Sequence, residues 1–354
     1  MTPLDDFMKQ PSEWSRATGP LSDVVVSSRL RLARNLNGFV FYERLKVEDK
    51  HKIETLIEQS AAKTPTLKKA LYVRLQKLDE TDRQFLVERH LVSREHAGQK
   101  DSGAVAVTPD EEVSVMVLEE DHLRLQSFAS GLDLTRAWKI INKVDDELEA
   151  QVEYAYNPNL GYLTACPTNV GTGFRASCML HLPGLVMTKQ VHKVLQALAK
   201  LNLAARGLYG EGTQATGNLF QFSNQMTLGQ REEEIIDNLE RVIRQVVEHE
   251  KEARLHLASK RAAKFEDQVW RSAGLLKSAR VITSNEATQH LSFLQLGVHT
   301  GLIQMPLSQM ELNNLFVQIQ PAHLQKLKGR TLNSAERDEA RAELVREKLA
   351  GLVL

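Results

Sequence analysis

Short apolar stretches with two different periods run along the first half of the chain. Residues 24–26 are a β-branched run that predicts a short strand, and the polar stretch SSRLRLARN follows it. Residues 104–122, AVAVTPDEEVSVMVLEEDH, alternate apolar and polar positions around a Pro-Asp turn and predict a hairpin. Residues 47–63 and 188–204 have apolar positions at helical spacing and predict two helices.

The middle of the chain continues this mixture. Residues 122–150 are expected to form one helix, with a core face that includes Leu123 and Leu134. Further strands are predicted at three places: residues 161–167, 176–184 and 217–225. Hairpins interspersed with helices favour an α+β fold with an antiparallel sheet.

The pattern changes near residue 231. No proline or glycine occurs between Arg231 and Ala263, and the apolar residues there recur at helical spacing. The rest of the chain is helix-like with short breaks. We therefore predict two domains, residues 1–255 and residues 256–354, with the boundary inside or just after a long helix.

Composition excludes some classes of function. The 354 residues include 45 basic and 45 acidic side chains, so a positive coat for direct nucleic-acid binding is not expected. Two cysteines, Cys166 and Cys178, are too few for a disulfide framework, and no CxxC pair suggests zinc. The first residues have no apolar signal segment, and no apolar run reaches the length of a membrane span. We expect a protein of the reducing cytoplasm without membrane contact.

Five arginines lie where strand ends or loops could direct them into one cleft: Arg29, Arg31, Arg124, Arg175 and Arg206. A guanidinium is always charged and can bind phosphate oxygens through two parallel hydrogen bonds. Five converging guanidinia would bind a polyphosphate without the lysine of a P-loop. The alternative is that each arginine is a surface residue paired with a carboxylate. No GxxxxGK[ST], HRD or DFG motif is present, which argues against P-loop enzymes and ordinary protein kinases.

Two carboxylates could complete such a site. Strand alternation would place Glu120 on the same face as Met116 and Leu118, with Glu119 opposite. Glu211 lies between two glycines, where the backbone can approach a ligand closely. Beside bound phosphates, a carboxylate can orient a cationic acceptor and take its proton. Both acids could instead be solvated residues of turns.

The motifs, in their order, resemble those of the phosphagen (guanidino) kinases. The matching stretches are VVSSRLRLARN, EEDHLR, CPTNVGTGFRAS, and RGLYGEGT with FQFSNQMTLGQ. They span residues 20–255, and within that family the chain most resembles the bacterial protein-arginine kinases, as far as its C-terminus. The resemblance implies an α+β catalytic domain with a glutamine-synthetase-like antiparallel sheet flanked by helices. A small all-helical domain would follow it.

The same resemblance implies a site for ATP, with Mg²⁺ held mainly through the nucleotide phosphates and no metal ligand from the protein. The residues expected to contact ATP are Ser27, Ser28, Arg29, Leu30, Arg31, His90, Arg124, Arg175, Ala176, Ser177, Cys178, Met179, Arg206, Gly207, Leu208, Tyr209, Gly210 and Glu211. Glu120 and Glu211 would hold the guanidinium acceptor, Glu120 being the better candidate base, and Cys166 would lie near it. Relatives usually have asparagine where this chain has Leu118, so a polar contact near the acceptor is expected to be missing.

The stretch NSAERDEARAELVREKLAG predicts a C-terminal helix with Ser334 as its N-cap and Glu336 in the first turn. Arg337 and Arg341 would share one face of the helix, with Asp338 adjacent. Most such runs are salt-bridged faces in contact with solvent. The resemblance implies instead an allosteric phosphoarginine pocket, in which both arginines contact the phosphoryl group and the aspartate contacts the guanidinium.

The leading hypothesis is an ATP-dependent protein-arginine kinase that acts on exposed arginines of protein substrates. The first arginine motif begins at residue 27, which leaves no room for the helical domain that precedes it in kinases of free guanidino metabolites. An open cleft suited to protein arginine is therefore expected. Two alternatives stay open: a phosphoarginine-binding adaptor with little catalytic activity, and a kinase of free arginine.

Partners are also implied by the resemblance. They are the ClpC–ClpP protease, which degrades the marked proteins, the activator McsA, and the heat-shock repressor CtsR. A homodimer formed through the helical domain is expected.

Overall fold

The computed structural model describes residues 3–207, 215–260, 263–305 and 307–353. Its strands are β1 (Val25–Arg34), β2 (Leu71–Arg74), β3 (Ala104–Val107), β4 (Val113–Val117), β5 (Leu123–Ser130), β6 (Tyr156–Asn157), β7 (Gly161–Tyr162), β8 (Phe174–His181), β9 (Leu203–Gly207) and β10 (Leu219–Asn224). Eight of them form one sheet in the order β2-β3-β4-β5-β1-β8-β10-β9, and β6 pairs with β7. Neighbouring strands in the sheet are antiparallel throughout.

Helices flank this sheet and form the C-terminal part of the chain. In the described ranges they are α1 (Val47–Lys63), α2 (Glu80–Glu88), α3 (Arg94–Ala97), α4 (Leu134–Glu149), α5 (Pro183–Met187), α6 (Val191–Lys200), α7 (Glu232–Ser259), α8 (Ala263–Ser278), α9 (Ser284–His299), α10 (Gln309–Gln318), α11 (Pro321–Lys328) and α12 (Ser334–Lys348). The predicted α+β class, an antiparallel sheet with flanking helices and a helical C-terminal region, is confirmed. None of the helices described here is long and apolar enough to cross a bilayer.

Strand β1 crosses the centre of the sheet and is longer than its sequence suggested. The β-branched run at residues 24–26 only begins the strand, which continues through the polar stretch as far as Arg34. Leu30 and Leu32 are fully buried on one face, while Arg29 and Arg31 are half-buried and alternate with them. The alternation of arginine and leucine is thus a strand pattern with one polar face.

The prediction of one helix over residues 122–150 was wrong. Strand β5 occupies its first part, where Leu123 and Leu125 are fully buried with a period of two residues. Helix α4 begins only after Asp133, whose side chain caps it by accepting a hydrogen bond from the Arg136 amide. Leu134 therefore belongs to a different element from the leucines of β5.

Two other predicted elements have different bounds. The helix predicted over residues 188–204 ends at Lys200, and β9 starts at Leu203. The strand predicted over residues 161–167 is limited to β7, which has two residues. Its first residue, Gly161, has a φ of +77°, and a Cβ there would lie 2.4 Å from the Gly171 carbonyl oxygen, so the position requires glycine.

The apolar residues form separate cores along the chain. One core packs α1, α4 and α7 against the face of the sheet that carries Leu30 and Leu32. Another lies among α8, α9, α10 and α12, in the C-terminal part. Helix α7 contributes Ala253 to the first core and Leu257 to the second. The division at residue 255 stays a prediction, and it falls within this helix.

A buried polar cluster joins α7 to the C-terminal helices. Arg254 donates to Glu250 Oε1 at 2.7 Å and to the His181 carbonyl oxygen at 3.0 Å. Its Nη1 lies 3.0 Å from His299 Nδ1. Because a guanidinium can only donate, that ring nitrogen accepts and carries no proton. His299 is therefore neutral in the folded chain.

Acidification is expected to destabilise the fold through this cluster. Burial, and then the Arg254 charge, lower the pKa of His299 to about 4 and that of His181 well below its usual value. The unfolded chain protonates its histidines below about pH 6.5, whereas these two remain neutral when folded. Stability should be retained above about pH 6.5 and fall as the pH approaches 4, by up to about 1.4 kcal/mol per pH unit for each histidine.

Urea unfolding measured between pH 7 and pH 5 would check this expectation. His299→Gln keeps a polar side chain but removes the titrating ring, so the pH dependence should become shallower. The matched control is His249→Gln, since the side chain of His249 is 60% exposed. Equal pH dependence in His299→Gln and the parent chain would contradict the assignment.

Candidate active site

Four arginines of three neighbouring strands project from one face of the sheet. Arg31 of β1 lies directly opposite Arg175 of β8, and Arg29 lies two residues away on the same strand. Arg124 of β5 is paired with Ala33, which shares the face of Arg31. Residues directly opposite each other on antiparallel strands project to the same side. The sheet therefore brings these four guanidinium groups together.

Arg206 projects from the same face of the sheet as these four arginines, but it lies on the edge strand β9. It is paired with Gln221 of β10, which is paired in turn with Met179 of β8 and so with Ser27 of β1. Arg206 is exposed. The electrostatic effect of Arg206 on Arg175 shows that the edge residue adds to the same positive field.

Three of these guanidinium groups have no carboxylate partner among the described residues. Arg29 donates to the amide oxygen of Gln126, and Arg175 donates to Ser223 Oγ at 3.2 Å. Nε of Arg31 and Nε of Arg175 are buried without a hydrogen-bond partner in the described part of the chain. Buried donors of this kind are costly unless a ligand satisfies them.

The arginines also disfavour each other's charge. Burial, and then the charges of Arg29, Arg124 and Arg175, lower the pKa of Arg31 well below its usual value. Burial and the Arg124 charge lower the pKa of Arg29 to about 10. Burial and Arg206 likewise lower the pKa of Arg175. This concentration of positive charge and free N–H groups is suited to an anion with several phosphates.

Arg124 differs because it binds two carboxylates. Its Nη1 lies 2.5 Å from Glu119 Oε2, and its Nη2 lies 2.5 Å from Glu120 Oε2. Glu119 is buried and also accepts from Ser93 Oγ at 2.7 Å, whereas the side chain of Glu120 is 47% exposed. Burial acts to raise the pKa of Glu119, but Arg124 and hydrogen bonds outweigh it and hold that pKa below its usual value.

The predicted alternation around these acids was wrong. Strand β4 ends at Val117, and Leu118 begins a turn with a φ of +61°. The turn brings both glutamates to Arg124 instead of placing them on opposite faces. The side chain of Leu118 is fully buried in the core with α1 and α4, so it does not line the site. Glu119 is a site residue that the strand pattern concealed.

The next two residues of the EEDH motif position the surrounding loops. Asp121 Oδ1 accepts from Asn35 Nδ2 and from the Ala165 amide, each at 2.7 Å. His122 Nδ1 accepts from the Leu36 amide at 3.0 Å, so its Nε2 carries the proton and donates to the Val40 carbonyl oxygen at 2.9 Å. Both side chains are fully buried. They fix the acidic turn relative to the loop that precedes Cys166 and to the segment after β1.

Cys166 is half-buried, and its sulfur lies 3.0 Å from Thr168 Oγ1. The preceding residue, Ala165, donates from its amide to Asp121 of the acidic turn, which places Cys166 close to that turn. Gly173 has a φ of +62°, and a Cβ there would lie 2.6 Å from the Ala33 carbonyl oxygen. This glycine permits close packing of the loop on β1.

Strand geometry narrows the predicted ATP contacts. Side chains alternate between the two faces of a strand, so each strand can offer only every second residue to the site. Ser27, Ser177 and Met179 share the face of the arginines. The side chains of Ser28, Leu30, Ala176 and Cys178 project to the buried core on the other face, so a nucleotide could be contacted there only by their backbone, and their assignment stays a prediction.

The last predicted segment is only partly described. Gly207 ends β9 beside Arg206. Leu208, Tyr209, Gly210 and Glu211 lie outside the described residues, so their predicted roles stay predictions.

His90 lies at the end of the arginine face. Its ring packs edge-on against Trp14 with centroids 5.0 Å apart. Together with Ser27, Arg29 and Phe128 it lines a small slot next to the guanidinium cluster. Burial, and then the charge of Arg29, lower the pKa of His90 to about 3, so the ring is neutral.

In the C-terminal motif, residues 333–341, some of the side chains predicted to bind a ligand hold α12 in place instead. Asn333, not Ser334, is the N-cap of α12, with Glu336 completing a capping box. Arg341 is buried and donates to the carbonyl oxygens of Ile319 and Ile282 at 2.7 and 2.8 Å. It also pairs with Asp338 at 2.5 Å. Its Nε and Nη1 are therefore committed to packing α12 onto neighbouring segments.

Arg337 is the more accessible of the two arginines. It is half-buried and donates from Nη1 to the Leu332 carbonyl oxygen at 3.0 Å. Both arginines were predicted to contact a phosphoryl group, but Arg337 is half-buried and Arg341 is buried. A ligand at this motif would meet Arg337 first.

Comparison with known proteins agrees with these features. A family model of the ATP:guanido phosphotransferase C-terminal catalytic domain matches residues 52–253, and a model of the protein-arginine kinase McsB C-terminal domain matches residues 262–353. The protein-arginine kinase of Desulforamulus reducens is 49% identical over 99% of both chains. That of Symbiobacterium thermophilum is 47% identical over 96% of this chain and 97% of the relative.

Solved structures show the same fold. The duplicated taurocyamine kinase of Schistosoma mansoni, with bound transition-state analogue components, has a TM-score of 0.60 at 28% identity, over 66% of this chain. The chain spans only 34% of that longer protein. A lombricine kinase matches with a TM-score of 0.57 at 24% identity, over 65% of this chain and 67% of the other.

Proposed function

The chain belongs to the ATP:guanido phosphotransferase family, among the protein-arginine kinases, and we propose that it transfers the γ-phosphoryl group of ATP to arginine side chains of proteins. One observation carries the proposal. The guanidinium groups of Arg31 and Arg175, each with a buried Nε, lack carboxylate partners in the described part of the chain and lie on the same face as Arg124, which holds Glu119 and Glu120. A polyanion would pair with Arg31 and Arg175, and a cationic acceptor would pair with Glu119 and Glu120.

The donor set fits the phosphates of a nucleotide. The five arginines of this face can only donate hydrogen bonds, and their positive charge would repel a metal cation that arrived alone. Mg²⁺ is therefore proposed to enter with ATP, bound through the phosphate oxygens, and it would neutralise part of their charge. Arg29, Arg31, Arg124, Arg175 and Arg206 would bind the same oxygens and stabilise charge that spreads over the transferring group.

Glu120 is proposed to position and deprotonate the acceptor. A guanidinium is a poor nucleophile because its pKa exceeds about 12, and a carboxylate can orient it and take a proton as the bond to phosphorus forms. Glu120 is held at one oxygen by Arg124 and is otherwise open to the adjoining cleft. Glu211 is proposed as the second carboxylate. Cys166 would lie beside the acceptor.

Protein arginine is favoured over free arginine by the size of the opening. The cleft beside Glu120 has a volume of about 1100 Å³. That is just above the range for pockets that bind drug-sized ligands, about 300–1,000 Å³. A single amino acid would fill little of it. The adaptor alternative depended on Leu118, and that side chain lies in the core instead of the site.

Further partners are proposed from family membership. Arginine-phosphorylated clients would pass to ClpC–ClpP, CtsR would be one client, and McsA would activate the kinase, all in the cytoplasm. Residues 256–354 would form a domain that dimerises and binds phosphoarginine, with Arg337 nearest the ligand and Arg341 and Asp338 supporting it. The match of residues 262–353 to the McsB C-terminal domain supports this part of the proposal.

Glu120→Gln is expected to lower phosphoryl transfer by about 10²- to 10⁴-fold, the range of general acid–base catalysis, while ATP affinity changes little. Glu119→Gln should act differently, because Glu119 holds Arg124: its main effect should be a weaker affinity for ATP. The measurement is mass spectrometry of an arginine-rich protein incubated with MgATP under non-acidic conditions, with each phosphate assigned to a residue type.

Glu252→Gln is the matched control, since the side chain of Glu252 is 76% exposed at the far end of α7. It should retain full activity. Phosphate found only on serine, threonine or tyrosine would refute the proposed function. Free arginine phosphorylated at least as fast as protein would favour a phosphagen kinase instead.

A further inference from the structure

A cleft adjoins the acidic turn and extends away from the arginine face. It begins at Glu119, Glu120 and Arg124 and continues along the segment 35–44, which follows β1. Glu95, Gln99, Ala155, Leu163 and Ala165 complete its lining. An acceptor arginine that reaches Glu120 from solvent would bring the rest of its own polypeptide into this space.

The wall formed by residues 35–44 is fixed in place by the fold. Its backbone is held by His122 through the Leu36 amide and the Val40 carbonyl oxygen. Asn37 Nδ2 donates to Glu153 Oε1 at 2.8 Å, and the Asn37 amide donates to the Glu153 carbonyl oxygen at 2.9 Å. A wall anchored at several points can bind a peptide without first paying to become ordered.

The same wall exposes apolar side chains inside a charged opening. Val40 is 54% exposed and Phe41 is 41% exposed, and both line the cleft. Four carboxylates line it against two guanidinia: Glu43, Glu95, Glu119 and Glu120 against Arg44 and Arg124. The opening therefore attracts cationic polypeptide and offers one apolar contact surface, Val40 with Phe41.

We propose that this cleft binds the polypeptide on one side of the acceptor arginine, with an apolar substrate side chain on Val40 and Phe41. Acidic residues at the same substrate position are rejected by the carboxylates of the lining. The inference rests on the proposed function and adds a sequence preference to it. It makes Phe41 a specificity-determining residue that does not take part in the chemical step.

The test uses synthetic peptides with one arginine. In the reference peptide glycines flank the arginine, and in the others a leucine or a glutamate replaces one glycine at each of the four positions on either side. At one position leucine should raise kcat/KM about tenfold, as expected for one well-packed apolar group. Glutamate at that position should lower kcat/KM below the value of the glycine peptide.

The variant Phe41→Ala should lower kcat/KM for the leucine peptide to about the value that the variant has for the glycine peptide, which removes the advantage of leucine. Val47→Ala is the matched control, because Val47 is 56% exposed at the start of α1 and does not line the cleft. It should keep the preference. Circular dichroism would show that both variants are folded, as expected for exposed positions.

The outcomes separate this inference from the proposed function. Equal rates for all peptides, or an equal loss for all of them in Phe41→Ala, would overturn the substrate cleft while leaving the kinase intact. A parent chain that phosphorylates no peptide and no protein arginine would refute the proposed function, and this inference with it.

Discussion

Arg31→Met is expected to abolish most activity and yet to stabilise the chain in the absence of nucleotide. The guanidinium N–H groups of Arg31 would bind the phosphoryl group that is transferred, and an arginine in that role contributes at least about 10³-fold to the rate. In the ligand-free chain the same guanidinium is costly, because Arg29, Arg124 and Arg175 repel it and its Nε has no partner among the described residues. An apolar side chain of similar length should therefore raise the unfolding free energy by about 1 kcal/mol or more.

Two measurements check this expectation. Phosphoryl transfer gives the loss of activity, and urea unfolding with and without MgATP gives stability. At 100 times its dissociation constant, ATP should stabilise the parent chain by about 2.7 kcal/mol, and Arg31→Met should lose most of that gain. A variant that is both inactive and less stable without nucleotide would show that Arg31 is structural and would contradict the phosphate role.

Arg34 is a matched control on the same strand. Its side chain is 2% exposed on the opposite face, and its Nη2 lies 2.6 Å from Asp145 Oδ2. The guanidinium also lies over the Tyr162 ring, 3.5 Å from its centroid. Arg34→Met should therefore destabilise the chain, because it leaves Asp145 buried without its counter-charge. The two substitutions, three residues apart, are expected to change stability in opposite directions.

Glu111→Ala is expected to cost about 3–5 kcal/mol of unfolding free energy, the usual result of removing one partner from a buried ion pair. Glu111 is fully buried, pairs with Arg89 and accepts from Ser12 Oγ at 2.9 Å. Arg89 Nη1 also lies 3.5 Å from His323 Nε2, in α11. Arg89 therefore joins the N-terminal segment, the catalytic sheet and a C-terminal helix in one network.

The double variant Arg89→Met with Glu111→Leu should recover most of the loss, since no buried charge then remains unpaired. Asp267→Ala is the control: it breaks the ion pair of Asp267 with Arg271, in which both side chains are more than 60% exposed, and should change stability little. A loss in Glu111→Ala no larger than in that control would show that the buried network is not important for stability.

Glu88 next to this network gives it a second link to α11. It is buried, accepts from the amides of Ala322 and His323 at 2.8 and 3.0 Å, and contacts His323 Nδ1 at 2.7 Å. His90 follows two residues later and lines the slot beside Arg29. The C-terminal helices thus pack directly onto the segment that shapes one end of the candidate nucleotide site.

The strands and helices that could be predicted from the sequence are those in which the apolar positions follow a single period. The hairpin of β3 and β4 and the helices α1 and α7 were predicted because their apolar positions follow one period throughout. Residues 122–133 were assigned wrongly to a helix, since the leucines of β5, spaced by two residues, are followed closely by Leu132 and, at the start of α4, by Leu134. Gly131, which has a φ of +67°, and the capping residue Asp133 mark the change, and these two residues are a weak signal beside the apolar positions around them.

The site was predicted in its chemistry more than in its geometry. The five arginines and Glu120 could be singled out because guanidinium and carboxylate groups near glycines and strand ends are typical of phosphate and cation sites. Glu119 was placed on the strand face opposite Glu120, but both glutamates contact Arg124, because a turn that starts at a positive φ breaks strand alternation. Arg341 was predicted to bind a phosphoryl group. In the structure it donates hydrogen bonds to Ile282 and Ile319, which are 59 and 22 residues away in sequence, so no local pattern could indicate these contacts.

The sequence by itself determined which charged and polar side chains are available and which family motifs the chain carries. It also determined the strands and helices whose apolar positions follow one period. All of these properties are local. The fold decided which residues meet: Arg31 with Arg175, Glu119 with Arg124, and the 35–44 wall with the acidic turn. Strand register and buried partners set such meetings, and both depend on packing between segments far apart in the chain, which no local pattern encodes.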